Sequence, residues 1–246
     1  MYRFFVDSQA TGGEHISIAG SDYNHIKNVL RMSIGEELLI SDGQDREYLC
    51  VIDSFTNEEV IVKIVDVFGV SAELPVRLIL FQGMPKADKM ELIVQKAVEL
   101  GVHTIVPVNT KRTIVKYDSK KEAKKVERWN TIALSAAKQA KRGIIPEVTM
   151  PMSLKEAVAY AGSLDGAMIP YEEAKNMAHT RQVISNIKGK ETFGIFIGPE
   201  GGFEASEIVL AKEQGIEPIT LGKRILRTET AGLAVLSMIM YEIEED

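Results

Sequence analysis

Phe193-Gly194-Ile195-Phe196-Ile197-Gly198-Pro199-Glu200-Gly201-Gly202-Phe203 carries an apolar strand into a glycine-rich turn, and Glu204-Ala205-Ser206-Glu207 then opens a helix. The turn therefore sits at the carboxyl end of a strand, where open α/β sheets bind ligands. Three glycines in five residues let backbone N–H and C=O groups approach a ligand with no Cβ in the way, and Pro199 stiffens the path. The spacing is GxxGG, not the GxGxxG of dinucleotide-binding turns. Taken alone, the segment is also readable as a tight strand-to-helix connection.

The same alternation of short apolar runs and amphipathic segments extends in both directions. Strands are expected at Val76–Gln82, Thr104–Val108, Gly166–Pro170, Phe193–Ile197 and Pro218–Leu221. Between them, Lys86–Leu100 carries Met90, Val94, Ala97 and Val98 at near-helical spacing and ends on Gly101, while Glu122–Ala140 and Glu229–Ile243 read as longer helices. Trp129, Ile132, Ala133, Ala136, Ala137 and Ala140 give the second helix one packing face. In the last, Ala231, Gly232 and Ala234 make part of the stripe small enough for another chain segment to come close. The pattern indicates an α/β domain with a parallel sheet over residues 73–246. Residues 1–72 differ: short alternating stretches separated by Asp42-Gly43 and Thr56-Asn57 predict a small β-barrel, interrupted by a helical piece at Tyr23–Leu30 that Ser21 or Asp22 could cap.

A second loop has the same setting as the first. Leu221-Gly222-Lys223-Arg224-Ile225-Leu226-Arg227-Thr228-Glu229-Thr230-Ala231 follows a strand and enters a helix. A phosphate-binding P-loop would need Ser or Thr after the lysine, and Arg224 stands there. Thr228 or Thr230 could cap the helix. Arg224 and Arg227 are harder to explain as structural, because a cation at a helix N-terminus opposes the helix dipole. Positive charge in that place suggests an anionic ligand such as an RNA phosphate.

The chain of 246 residues is 45% hydrophobic and 26% charged, ordinary for a globular protein. Its apolar runs fall well short of the roughly 20 residues of a membrane-spanning helix, and Asp7 interrupts the first apolar cluster where a signal peptide would need a clean core. A cytoplasmic protein with no membrane partner is expected. Cys50 is the sole cysteine and reads as a small core residue, and His15, His25, His103 and His179 are scattered, so no metal site is expected. The net charge of −6 is unevenly spread: residues 1–72 carry −7, and the stretch from Lys111 to Arg142 carries +8 from eleven cations, among them Lys116, and three acids. That stretch reads as a surface facing RNA phosphates.

Ile197-Gly198-Pro199-Glu200-Gly201-Gly202-Phe203 taken with Leu221-Gly222-Lys223-Arg224-Ile225-Leu226-Arg227-Thr228-Glu229-Thr230-Ala231 resembles the paired signature of the RsmE family of SPOUT methyltransferases. Further likeness lies in His25-Ile26-Lys27-Asn28-Val29-Leu30-Arg31-Met32, Lys86-Ala87-Asp88-Lys89-Met90-Glu91, Gln95-Lys96-Ala97-Val98-Glu99-Leu100-Gly101, Glu127-Arg128-Trp129 and Gln139-Ala140-Lys141-Arg142. The resemblance implies a homodimer with a PUA-like N-terminal barrel and a SPOUT domain tied in a deep trefoil knot. It further implies that S-adenosyl-L-methionine is the methyl donor and N3 of a uridine in 16S ribosomal RNA of the small subunit the target. The cofactor would then be held by Ile197, Gly198, Glu200, Gly201 and Gly202 and by Leu221, Gly222, Arg224, Ile225 and Leu226, with a third loop at Ile169 and Pro170 completing the pocket.

Methylation at uracil N3 sets two demands: the base must leave its pair, and N3 must lose a proton. Arg227 is the candidate to stabilise the uridine anion, with Glu200 or Glu229 as the proton acceptor. Each glutamate also has a structural alternative, Glu200 shaping its turn and Glu229 as a first-turn acid. RNA contacts are expected from Lys111, Arg112 and Arg142, and from Arg3, His25 and Arg31 in the small domain, where Arg3, Lys27 and Arg31 should share a face. A noncatalytic RNA-binding factor, or a methyltransferase acting on a ribose 2′-hydroxyl, remains an alternative reading.

Overall fold

The structure, a computed structural model, describes residues 1–7, 11–44, 46–70, 72–115, 117–174 and 176–244. The chain divides into two compact units: Met1–Glu73 with Ala137–Ile145, and Leu74–Ala136 with Pro146–Asp246.

In the first unit, β1 (Arg3–Phe5), β2 (His15–Ala19), β3 (Glu37–Ser41), β4 (Arg46–Phe55) and β5 (Glu59–Gly69) form one sheet in the order β1-β3-β4-β5-β2. Only the β1–β3 pairing is parallel. Side chains of a strand alternate between faces, and here Ile16 and Ile18, Leu38 and Ile40, and Val60 and Val62 all turn to one side to make the core. Register shifts between β4 and β5 at Leu49/Cys50 and Ile52/Ser54 mark the irregularities that let these long strands bend. Cys50 is fully buried in that core, and burial pushes its thiol up to about 12, so it is an inert packing residue.

The helical piece starts earlier than expected. Helix α1 (Gly20–Asn24) runs directly into a π-helical turn, His25–Val29, after which Arg31 takes a left-handed conformation. Neither Ser21 nor Asp22 caps it: the N-cap position is Ala19, which has no side chain for the role. The Asp22 carboxylate instead accepts from Lys138 Nζ, at 3.0 Å to each oxygen.

Arg142 shows how Ala137–Ile145 is secured. It was expected at an RNA surface, but it is only 3% exposed, and its guanidinium donates to both carboxylate oxygens of Glu73, which also accepts from the Gly143 N–H at 3.0 Å. A buried cation so engaged has no face left for phosphate. A side chain at Gly143 is excluded as well, since a Cβ there would lie 2.0 Å from Val70 Cγ1. Removing one member of a buried ion pair leaves the other uncompensated, so Arg142→Met should destabilise the first unit by about 3 kcal/mol. Urea denaturation would measure this, and a loss below about 1 kcal/mol would show that the pair is not structural.

In the second unit every strand pairing is parallel. The strands β6 (Arg77–Gly83), β7 (Thr104–Asn109), β8 (Glu147–Val148), β9 (Met152–Ser153), β10 (Ala167–Pro170), β11 (Thr192–Ile197) and β12 (Glu217–Ile219) lie in the order β12-β10-β11-β6-β7-β8, with β9 also on β7. Strand β11 lies between β10 and β6, and its residues from Phe193 to Ile197 are buried, as an apolar run covered on both faces must be.

The connections are α2 (Lys89–Glu99), α3 (Ser119–Gln139), α4 (Leu154–Ala161), α5 (Met177–Ser185), α6 (Ala205–Glu213) and α7 (Thr228–Ile243). Helix α2 begins three residues later than the periodicity suggests, because Ala87 has φ +54° and a left-handed residue cannot sit in a right-handed helix. Trp129, Ala133 and Ala136 of α3 are buried as expected. Asn130 holds the short β8 by exchanging hydrogen bonds with the Val148 carbonyl at 2.8 Å and its N–H at 2.9 Å. The start of α4 is fixed by a capping box between Ser153 and Glu156.

Candidate functional site

The carboxyl ends of β10, β11 and β12 bring three loops together around a cavity of about 600 Å³. Pro170 to Glu172 supply one wall, Ile197 to Phe203 a second, and Thr220 to Thr228 with Ala231 the third. Pockets of this volume accommodate cofactor-sized molecules. Of the residues expected to bind the cofactor, Pro170, Ile197, Gly198, Glu200, Gly201, Gly202, Leu221, Gly222, Arg224, Ile225 and Leu226 all line it. Ile169 does not: it is fully buried in the sheet, opposite Pro218 of β12, and serves as core beneath the loop.

The glycines are required by contact and by conformation. Gly202 and Gly222 have φ +67° and +103°, which side chains other than glycine rarely adopt. The last residue of β6, Gly83, is a case the sequence reading did not reach. A Cβ on it would lie 2.6 Å from both N and Cδ of Pro199 and 2.9 Å from the Gly198 carbonyl carbon. The glycine turn rests directly on the end of the neighbouring strand.

Polar side chains complete the mounting. Thr228, expected to cap α7, does something else: its hydroxyl donates to the Gly198 carbonyl at 2.6 Å and accepts from Gln82 Nε2 at 2.9 Å. The N-cap is Arg227, and its side chain makes no capping bond. The start of α7 is thus pinned to both the glycine turn and β6. Thr180 of α5 fixes the third loop, donating to the Thr220 carbonyl at 3.0 Å and accepting from the Thr220 N–H at 3.1 Å.

The two candidate proton acceptors are already committed. Glu200 accepts from the Lys86 N–H at 3.0 Å and from Lys89 Nζ at 3.0 Å. Burial alone would raise the Glu200 carboxyl, but the bonds from Lys89 and from the Glu200 and Lys86 backbones, with the Lys89 charge, hold it below its ordinary value. Glu229 Oε2 lies 3.4 Å from the same lysine, and Glu229 lies outside the cavity lining. Lys89, not singled out by the sequence, therefore touches both carboxylates.

Five cations, Lys89, Arg112, Lys223, Arg224 and Arg227, line the cavity against two carboxylates, Glu172 and Glu200, so its charge favours an anion. The side chains of Lys223, Arg224 and Arg227 form no ion pair with a described residue and are exposed. The +8 stretch is different. Lys111, Lys121, Lys125, Arg128, Lys138 and Arg142 are paired with Glu204, Asp118, Asp88, Glu91, Asp22 and Glu73. Five of those six acids lie outside the stretch, so its charge along the sequence is not its charge in space. Lys116 lies outside the described residues. The Lys111 N–H donates to Glu207, buried beside the start of α6, and Arg112 Nη1 donates to the Gly201 carbonyl at 2.7 Å. Arg112 is thus a wall of the cavity.

In the first unit, Arg3 is drawn into an ion pair with Glu47 at 2.7 Å and donates to the Lys141 carbonyl, which leaves it little surface. His25 stands edge-on to Phe4, and Arg31 is exposed. Among the described residues no group of three or more His, Cys, Asp or Glu could hold a metal ion, and no helix is long and apolar enough to cross a membrane.

Comparison with known proteins agrees with this geometry. Residues 72–240 match the RNA methyltransferase domain family, and residues 18–65 match the RNA methyltransferase PUA domain. A curated relative, ribosomal RNA small subunit methyltransferase E of Bacillus subtilis, is 34% identical over 99% of this chain and 98% of its own. A ribosomal RNA small subunit methyltransferase E from Neisseria gonorrhoeae, solved bound to S-adenosyl methionine, superposes with a TM-score of 0.83 at 30% identity, covering 98% and 97% of the two chains. A putative methyltransferase from Legionella pneumophila, in complex with bound cofactor SAM, gives 0.81 at 33% identity over 97% and 96%.

Proposed function

Because this chain belongs to the ribosomal RNA small subunit methyltransferase E family, we propose that it transfers a methyl group from S-adenosyl-L-methionine to N3 of a uridine in 16S ribosomal RNA. The observation that carries the reading is the cavity itself, where glycine backbone from the Ile197–Phe203 and Thr220–Thr228 loops is joined by Lys223, Arg224 and Arg227, which form no ion pair among the described residues. Glycines at 201, 202 and 222 leave peptide groups open to a flat base, and the lining volume suits a nucleoside with an amino-acid tail. The cofactor would supply an electrophilic methyl group on a sulfonium.

The residues of the chain do the rest. Lys223 and Arg224, which line the cavity, would meet RNA phosphates, and Arg227 would hold the N3 anion of an extruded uracil. Glu200 and Glu229 suit the role of anchors for Lys89 better than that of proton acceptors: both already engage its ammonium, and Glu200, held below its ordinary value, is a weaker base. Residues 1–72 would serve as the RNA-binding PUA-like domain and residues 73–246 as the catalytic SPOUT domain, tied in a deep trefoil knot. The enzyme would act in the cytoplasm as a homodimer on the small ribosomal subunit.

Two measurements test the reading. Titration calorimetry should show S-adenosyl-L-methionine binding, and mass spectrometry of ribosomal RNA from cells lacking the gene should show one unmethylated uridine, restored by complementation. A missing ribose methylation instead would move the target to a 2′-hydroxyl. Glu200→Gln and Glu229→Gln should each retain methylation to within about tenfold, whereas loss of a general base costs about 10²–10⁴. A drop of that larger size in either variant, with cofactor still bound, would restore that glutamate as the proton acceptor.

A further inference from the structure

Lys89 is the first residue of α2, where a cation is opposed by the helix dipole, so its charge has a use outside its own helix. Its ammonium lies 3.0 Å from Glu200 and 3.4 Å from Glu229. These two carboxylates come from different elements: Glu200 from the glycine turn after β11, and Glu229 from the first turn of α7, two residues beyond Arg227. All three groups are shielded, at 28%, 28% and 18% side-chain exposure. The other charges near this end of α2 are already occupied, Asp88 by Lys125 and Glu91 by Arg128 through two hydrogen bonds. Arg112 and Arg227 line the same cavity, and Arg112 is held on the Gly201 carbonyl. No second cation within ion-pair distance replaces Lys89 among the described residues.

We infer that Lys89 is a positioning residue that ties the two cofactor loops together, its single positive charge holding Glu200 and Glu229 side by side so that the glycine turn and Arg227 keep their register. This rests on the proposed cofactor site. Lys89 touches Glu200 of the cavity lining and Glu229 behind it, and its contribution to the ligand is made through them. Without it, two partly buried like charges would face each other, and repulsion would part the loops. Protonation of either carboxylate would relieve that repulsion, which gives the proposal a pH signature that a packing role would lack.

The test uses the full chain and S-adenosyl-L-methionine binding followed by calorimetry, so that no step depends on methyl transfer. Lys89→Met should weaken binding about tenfold at pH 7.5 and regain affinity as the pH is lowered into the carboxylate range, while the wild-type affinity changes less over the same range. Lys89→Arg should bind as the wild type. Adding Glu229→Gln to Lys89→Met should restore affinity at pH 7.5, because one of the two repelling charges is then gone. A Lys89→Met variant that binds like the wild type overturns the inference. So does one whose weakness is independent of pH and unrelieved by Glu229→Gln, since Lys89 would then act on the ligand directly or by packing. Absence of binding by the wild type is a different result, and refutes the cofactor assignment itself.

Discussion

Replacing Gly83 by alanine should weaken cofactor binding at least about 100-fold, or about 2.8 kcal/mol at 1.4 kcal/mol per tenfold. The residue makes no contact with the cavity in its own right. Its effect comes from what the added methyl would meet: N and Cδ of Pro199 at 2.6 Å, and the Gly198 carbonyl carbon at 2.9 Å. These are backbone and ring atoms with no rotamer to escape into, so the turn itself must move. The move would be felt at once on the far side, because the Gly198 carbonyl accepts from Thr228 and a Cβ at Gly198 would already lie only 3.1 Å from Gly202 Cα. Stability should fall less than affinity, since the strand can keep its register with Val108 of β7 while the loop yields. Calorimetry of the variant, with a melting curve as control, checks this. Affinity within threefold of the wild type would show that the turn is not preformed.

No local sequence pattern marks Gly83. The strand ending there was legible, because Leu78 to Phe81 form the continuous apolar run that a doubly covered strand needs. Legible too were the glycine turn and the Leu221–Leu226 loop, whose residue types break the periodicity around them. That Gly83 abuts Pro199 is a fact of the β6–β11 pairing, in which Gln82 stands opposite Ile197, and a single sequence does not print which strands are neighbours. Lys89 was hidden for the same reason. A lysine opening a helix looks like a solvated charge until two carboxylates from 111 and 140 residues further on are folded against it. The positive stretch from Lys111 to Arg142 misled in the opposite direction, since the acids that neutralise most of its paired cations are remote in sequence and near in space. Short-range patterns encode elements; long-range pairing decides which charges remain free.

The charges that do remain free lead to the second large effect. Arg227→Met should lower the methylation rate by about 10²–10³ while leaving cofactor affinity within a few fold, the size expected when a group stabilising developing negative charge is lost. Arg227 is exposed, lines the cavity, and stands at the N-cap of α7 with no side-chain partner among the described residues, so its removal takes away none of the bonds described above. The pH dependence separates this role from simple RNA affinity. The reactive uracil is the N3 anion, and a cation within about 4–6 Å lowers the pKa of an acid that ionises to an anion by about 1–3. With Arg227 in place the rate should therefore rise and level off at a lower pH than without it. In Arg227→Met the rising limb should move to higher pH by about one to two pH units, so that the variant recovers part of its deficit in alkaline buffer. Lys223→Met offers the contrast: loss of a phosphate contact should weaken RNA binding and its salt dependence with no displacement of the profile. If the Arg227 variant lost activity equally at every pH, the anion would have to be stabilised elsewhere, and Arg112, which lines the same cavity and is fixed to the Gly201 carbonyl, would be the next cation to test.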